Sequence, residues 1–211
     1  MPNLPFVSSE CYSKNLNGPY KMTKESINKT NIPKKLSVFT AITEQNLEYI
    51  LNLTSTLEDP AVKYKNDDKS GRLAKLKSDI KTELAGYPPD EIILTITFMT
   101  ALESVYSSAN EIKGYIKELI KYPPVGFDLS EITIKISGIA KKAIDRFFTG
   151  NIDTDLEPAI TENERLINAA LRRLNKLNGK ENREKGRIIY YAGITAMMKG
   201  IIRNFSCILY S

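Results

Sequence analysis

The chain has 211 residues, enough for one large domain or two small ones, and 42% of them are apolar. It contains no histidine, which excludes Ser-His and Cys-His nucleophile pairs and His-based metal centres. A metal would need oxygen ligands, and a general base would be a carboxylate, Lys or Tyr. Lys and Arg number 30 against 25 Asp and Glu, a net charge of +5 that permits contact with nucleic acid or an anionic surface without requiring it.

No run of 18 uninterrupted apolar residues occurs, so no membrane span is expected. The N-terminus carries Pro2 and Pro5 and no basic segment followed by an apolar one, so a cytoplasmic protein is expected. Cys11 and Cys207 sit at opposite ends, too few for a disulfide framework or a zinc site. Cys207 lies in an apolar run and is expected to be a buried small hydrophobe.

Residues 1–35 hold four prolines, several Asn and Ser, and no sustained period; they read as an irregular arm. A first helix follows Pro33, with Leu36, Phe39, Ile42, Asn46, Ile50 and Leu53 at three-four spacing. Asp59-Pro60 ends or bends it. A second, charged helix is predicted from about Pro60 to Leu84, with a break near Asp67 to Gly71 and Leu73, Leu76, Ile80 and Leu84 on one face. Pro88-Pro89 blocks its continuation. The third helix opens on Pro89-Asp90-Glu91, an acidic first turn that complements the helix dipole. Phe98, Leu102, Val105, Ala109, Ile112, Ile116 and Leu119 then form a bundle seam. Ile92, Ile96 and Met99 widen its apolar face, so it should lie between two other helices.

The same order then returns. Phe127-Asp128-Leu-Ser-Glu131-Ile132 reads as a helix start with Asp128 as N-cap, Glu131 completing a capping box and Phe127 stapling to Ile132. Helix four carries Ile132, Ile136, Ile139, Ala143 and Phe147 and stops at Gly150. Helix five runs from about Thr154 to Leu177, and helix six from about Arg183 to Leu209. The predicted fold is all-α, two tandem three-helix bundles at 36–122 and 123–211 behind the arm at 1–35. The long helices three and six should lie near the shared interface.

Two charged groups stand out. Arg172, Arg173, Lys176, Lys180, Arg183, Lys185 and Arg187, followed by Tyr190 and Tyr191, gather around the turn between helices five and six. They read either as a site for phosphate-rich ligands, with the tyrosines stacking bases, or as a solvated turn whose cations suit a helix C-terminus. Asp153, Asp155, Glu157, Glu162 and Glu164 crowd the start of helix five, where the helix dipole alone accounts for acids. The stretch Lys63 to Arg72 has one glycine and no phosphate-loop frame.

The repeated order of medium, charged and apolar helix resembles the PhoU family of phosphate-transport regulators, over roughly Leu36 to Leu209. The stretches that carry the resemblance are Leu76 to Leu119 and Phe127 to Leu209, the second through Phe127 to Glu131, Phe147-Phe148, the acidic turn Asn151 to Asp155, Glu162-Asn-Glu-Arg-Leu-Ile-Asn168 and Arg172-Arg-Leu-Asn-Lys-Leu177. It implies a cytoplasmic, non-enzymatic regulator or adaptor that docks on a protein partner, such as a phosphate transporter or a signalling protein, and forms a homo-oligomer. It also implies iron or zinc held by paired acids four residues apart on the long helices. Here Glu103 and Glu164 keep the first acid of such pairs, while Ser107 and Asn168 stand at the second. Glu103, an isolated carboxylate, reads first as a boundary acid paired with a Lys of a neighbouring helix. The runner-up function is a helical nucleic-acid-binding or scaffold protein that uses the basic turn.

Overall fold

The computed structural model describes residues 32–57, 68–150, 154–177 and 182–209. These form six α-helices and, among the described residues, no strand. They are α1 (Ile32–Ser55), α2 (Ser70–Glu83, followed by a single 3-10 turn, Leu84–Gly86), α3 (Pro89–Leu119), α4 (Ser130–Thr149), α5 (Leu156–Leu177) and α6 (Asn182–Leu209). Most of the expected N-terminal arm and the first part of the expected second helix lie outside the described residues. The arm's boundary moves: α1 begins at Ile32, which is fully buried, because that residue continues the stripe of Leu36 and Phe39 one turn earlier.

α3 and α6 make the dominant contact; α1 lies against α3, α4 and α2, and α4 against α1, α5 and α6. α5 covers α6 and α4, whereas α2 leans on α1 and touches α3 only slightly. The seam of α3 is buried at every position from Phe98 to Leu119 that the three-four spacing selects. α1 is enclosed on several sides, and its Thr40, Thr43 and Thr54 are buried with hydroxyls donating to the carbonyls of Leu36, Phe39 and Ile50. Those bonds remove the desolvation penalty an unpaired hydroxyl would carry. Cys207, expected to be buried, is half-buried near the C-terminal end of α6. α3 alone among the described helices is long and apolar enough to cross a membrane, and 44% of that apolar stretch is buried inside the bundle.

The α3–α6 contact has a specific geometry. Gly186, Gly193 and Gly200 recur every seven residues on α6, and each faces a residue of α3 or its end that recurs every seven in the opposite direction. A Cβ on Gly186 would overlap the Tyr122 ring, one on Gly193 would sit 2.9–3.2 Å from Tyr115, and the nearest atom to one on Gly200 is Ser108 Oγ at 3.9 Å. The helices therefore run antiparallel, with tyrosine rings lying on glycine backbone. Tyr190 on α6 fills the space between these rings, 6.2 Å from Tyr115 and 5.8 Å from Tyr122.

The start of α4 differs from the expected capping box. Asp128 accepts from the N–H of Ser130, at 2.8 Å, and from the Ser130 hydroxyl. Leu129 then occupies the N-cap position with no side-chain cap bond. A short acid two residues before a helix closes an Asx turn more readily than it reaches the third amide. Phe127 and Ile132, the predicted staple, are both buried, and Phe127 also meets Tyr191, with ring centroids 5.2 Å apart. At the other end Gly150 caps α4 in the left-handed region with φ 70°. Asn163 on α5 is fully buried and neither amide atom has a hydrogen-bond partner among the described residues.

Gly193→Ala should lower stability by about 1–2 kcal/mol in urea unfolding, because overpacking against Tyr115 outweighs the gain in helix propensity. Gly200→Ala, with open space, should raise it by up to about 1 kcal/mol; equal effects from the two would refute the glycine–tyrosine packing. The Ser130 bonds hold the Asp128 carboxyl below its ordinary value. Its stabilisation is therefore present above that ordinary value and lost as pH falls through the folded-state value. Asp128→Asn keeps an acceptor and should flatten this acid-side loss in a pH series of melting temperatures. Asp128→Ala should cost at most about 1 kcal/mol at neutral pH.

Candidate functional site

The slight contact of α2 with α3 leaves a groove between them. Its volume is about 410 Å³. Leu73 and Ala74 of α2 supply an apolar wall, and Glu103, Ser107, Asn110 and Glu111 of α3 supply a polar one. Lys77 of α2 bridges the groove to Glu103. Such a volume falls in the range of small-ligand and side-chain clefts.

Tyr106 divides this groove from a second pocket, of about 190 Å³, between α1 and α3. Its hydroxyl accepts from the Lys69 N–H at 2.7 Å and donates to Asp68 Oδ1 at 3.3 Å. Those bonds tie the start of α2 to the middle of α3. Burial raises the Tyr106 phenol above its ordinary value. The bonds from the Ser70 N–H and hydroxyl pull the Asp68 carboxyl below its own. Asn46 donates to Asn110 at 3.2 Å across the α1–α3 seam. Lys113, only 5% exposed, enters the pocket from α3 with its ammonium 5.7 Å from the Tyr49 ring centre. Neither pocket was read from the sequence. The signal was present for Lys113, which continues the buried register Leu102, Tyr106, Ala109 and Ile116.

The acids singled out for metal binding face cations. Glu103 is bonded to Lys77. Glu164 has Arg203 of α6 3.9 Å away. Asn168, one turn on, accepts from Lys199 at 2.9 Å. Glu103 and Glu111, both in the groove, are eight residues apart, about 12 Å along the helix axis and too far to share one ion. Among the described residues no group of three or more acids or cysteines could hold a metal. The residues present therefore do not fit an iron or zinc site of paired carboxylates. The acids at the start of α5 are likewise engaged with cations in part. Glu162 makes two bonds of 2.8 Å to Arg165 and lies 3.8 Å from Lys135. Asp155 and Glu157 are exposed, and Asp153 lies outside the described residues.

The basic group divides. Arg172, Arg173 and Lys176 are exposed on the last turns of α5, with the Arg173 guanidinium 5.5 Å from the Phe127 ring centre. Lys185 is half-buried, and Lys180 and the side chain of Arg183 lie outside the described residues. Arg187 does not join the surface set. It is 3% exposed and donates to the carbonyls of Leu57 at 2.7 Å and Tyr122 at 2.5 Å, with Leu119 at 3.5 Å. It thus caps the C-terminal ends of α1 and α3 together from the first turns of α6. Tyr191 is also buried and unavailable to stack a base, which leaves half-buried Tyr190. Burial raises the Tyr190 phenol above its ordinary value, with Tyr122 adding to it.

The chain matches no family model, no curated protein and no solved structure.

Arg187→Met should cost about 3 kcal/mol or more in urea unfolding, because it strands buried carbonyls at two helix ends. Arg172→Ala, at an exposed site, should stay within about 0.5 kcal/mol. A small effect at Arg187 would show that the three carbonyls find other partners.

Proposed function

We propose that this protein is a non-enzymatic regulator or adaptor of the PhoU-like kind, which docks its helices on a protein partner in phosphate transport or its signalling and assembles with copies of itself. The observation that carries the docking part is the open α2–α3 groove, with an apolar wall at Leu73 and Ala74 facing Glu103, Ser107 and Glu111. A groove between helices, apolar on one side and acidic on the other, suits the apolar face and basic flank of an amphipathic helix. The repeated helix order supports the family assignment. The single residual acids at Glu103 and Glu164, each beside a cation, support a member that works without a metal.

The second reading, nucleic-acid binding, draws on exposed Arg172, Arg173 and Lys176, which lie on the last turns of one helix.

A photo-crosslinking residue at Ser107, expressed in the native cell, should yield a discrete product with a phosphate transporter or its signalling partner. Ala74→Glu, which lines the groove from an exposed position, should abolish that product. The same residue at Ile134, 71% exposed on α4, should yield none. Equal products from both positions would remove the groove, and a product with an unrelated protein would remove the phosphate assignment. A salt-dependent nucleic-acid mobility shift lost in Arg172→Ala with Arg173→Ala would replace this reading with the second.

A further inference from the structure

We propose that Lys77 is an internal competitor for the α2–α3 groove: it holds Glu103 until a docking helix places its own lysine or arginine on that carboxylate. The inference rests on the docking reading and adds how the groove admits and selects its partner. Glu103 belongs to the groove wall on α3, and the ammonium that reaches it comes from α2, across the opening. Among the described residues neither side chain makes another hydrogen bond or ion pair. The site therefore already takes a primary ammonium at the end of a flexible aliphatic stem. The exchange swaps one cation for another and leaves the carboxylate matched throughout. Lys77, once displaced, turns its ammonium to solvent, which its side chain already meets in part.

Two observations make the pair displaceable. Glu103 and Lys77 keep 44% and 25% of their side-chain surface in solvent, and a pair so exposed is weak. α2 also has other anchors. Leu73 and Ile80 are buried along it. Lys35 of α1 bonds to Glu83 at its end, at 2.5 Å, and the Tyr106 hydroxyl accepts from the Lys69 N–H just before its start, at 2.7 Å. Breaking the pair frees the carboxylate without unseating the helix. A docking helix gains in addition an apolar contact with Leu73 and Ala74. A helix with no cation at this point gains that apolar contact alone and leaves Lys77 on Glu103, so the exchange selects for a basic flank.

Fluorescence anisotropy of the full chain with two labelled synthetic peptides tests this. Both are amphipathic helices of about four turns, identical except that the residues flanking the apolar face are lysine in one and glutamine in the other. The wild-type chain should bind the lysine peptide several-fold more tightly. Lys77→Met should tighten the lysine peptide by up to about fivefold, the size of an exposed ion pair, and leave the glutamine peptide unchanged. Lys75→Met removes the same charge from an exposed position outside the groove lining and should not reproduce that tightening. Glu103→Gln should bring the two peptides to the same affinity. Equal affinities in the wild type, or a Lys77→Met effect shared by both peptides or absent from both, would overturn the competition and leave the docking reading standing. Ala74→Glu, at an exposed position of the groove, should weaken the glutamine peptide. Unchanged binding there, or no binding of either peptide by the wild type, would remove the groove and the competition with it.

Discussion

The close antiparallel approach of α3 and α6 is the constraint on which the other helices depend. Glycine at 186, 193 and 200 removes the side chains that would otherwise hold the backbones apart, and Tyr122, Tyr115 and Ser108 occupy the space. Once those two helices are in place, their remaining apolar stripes dictate where the others go: α1 on α3, α5 on α6, and α4 against α1, α5 and α6. Arg187 adds a polar lock to the same pair. Its bonds to Leu57, Tyr122 and Leu119 carbonyls tie the ends of α1 and α3 to the start of α6. Helix C-terminal carbonyls are well suited to accept from the two terminal nitrogens of a buried guanidinium.

That arrangement explains why polar openings lie on one side of α3. α5 is packed along α6, but its counterpart in the sequence pattern, α2, is carried by α1 and meets α3 mainly through polar links. Lys77 reaches Glu103, and the Tyr106 hydroxyl holds the Lys69 N–H. Charged and polar side chains dominate α2, and only Leu73 and Ile80 are buried along it. A helix with so little to bury cannot close on two neighbours at once, so it takes α1 and leaves the groove against α3.

Much of this could be read from spacing. Every seam position of α3 and nearly every apolar position assigned to α1 and α4 is buried, because a three-four period in a bundle has few other uses. The glycine ladder was equally legible, since both sets of residues recur every seven positions, yet glycine in a helix reads first as a weak point. Arg187 illustrates a different limit. Its place in the register of Tyr191, Ile194 and Met198 marks it as inward-facing, but among seven basic residues its charge suggested surface. Only the carbonyls of residues 57, 119 and 122, distant in the chain, distinguish it. The α4 start failed for a local reason: Asp128 has two ways to satisfy an amide, and sequence does not choose between the Asx turn and the box.

The charged pairs between helices serve orientation more than cohesion. Glu103 and Lys77 keep 44% and 25% of their side-chain surface in solvent, and Glu164 and Arg203 keep 36% and 64%. Pairs so exposed contribute about 1 kcal/mol at most, small beside the burial of Phe98, Leu102, Ile112, Ile194 and Phe205 at 1% exposure or less. Their value is directional, because Lys77 and Arg203 each set the register of one helix on another without adding an apolar contact that would hold at any register. Asn163 is the opposite case. Fully buried and unbonded among the described residues, it costs about 1–3 kcal/mol, and the surrounding α4–α5–α6 packing is extensive enough to bear that. A core that tolerates such a residue derives its stability from the apolar seams.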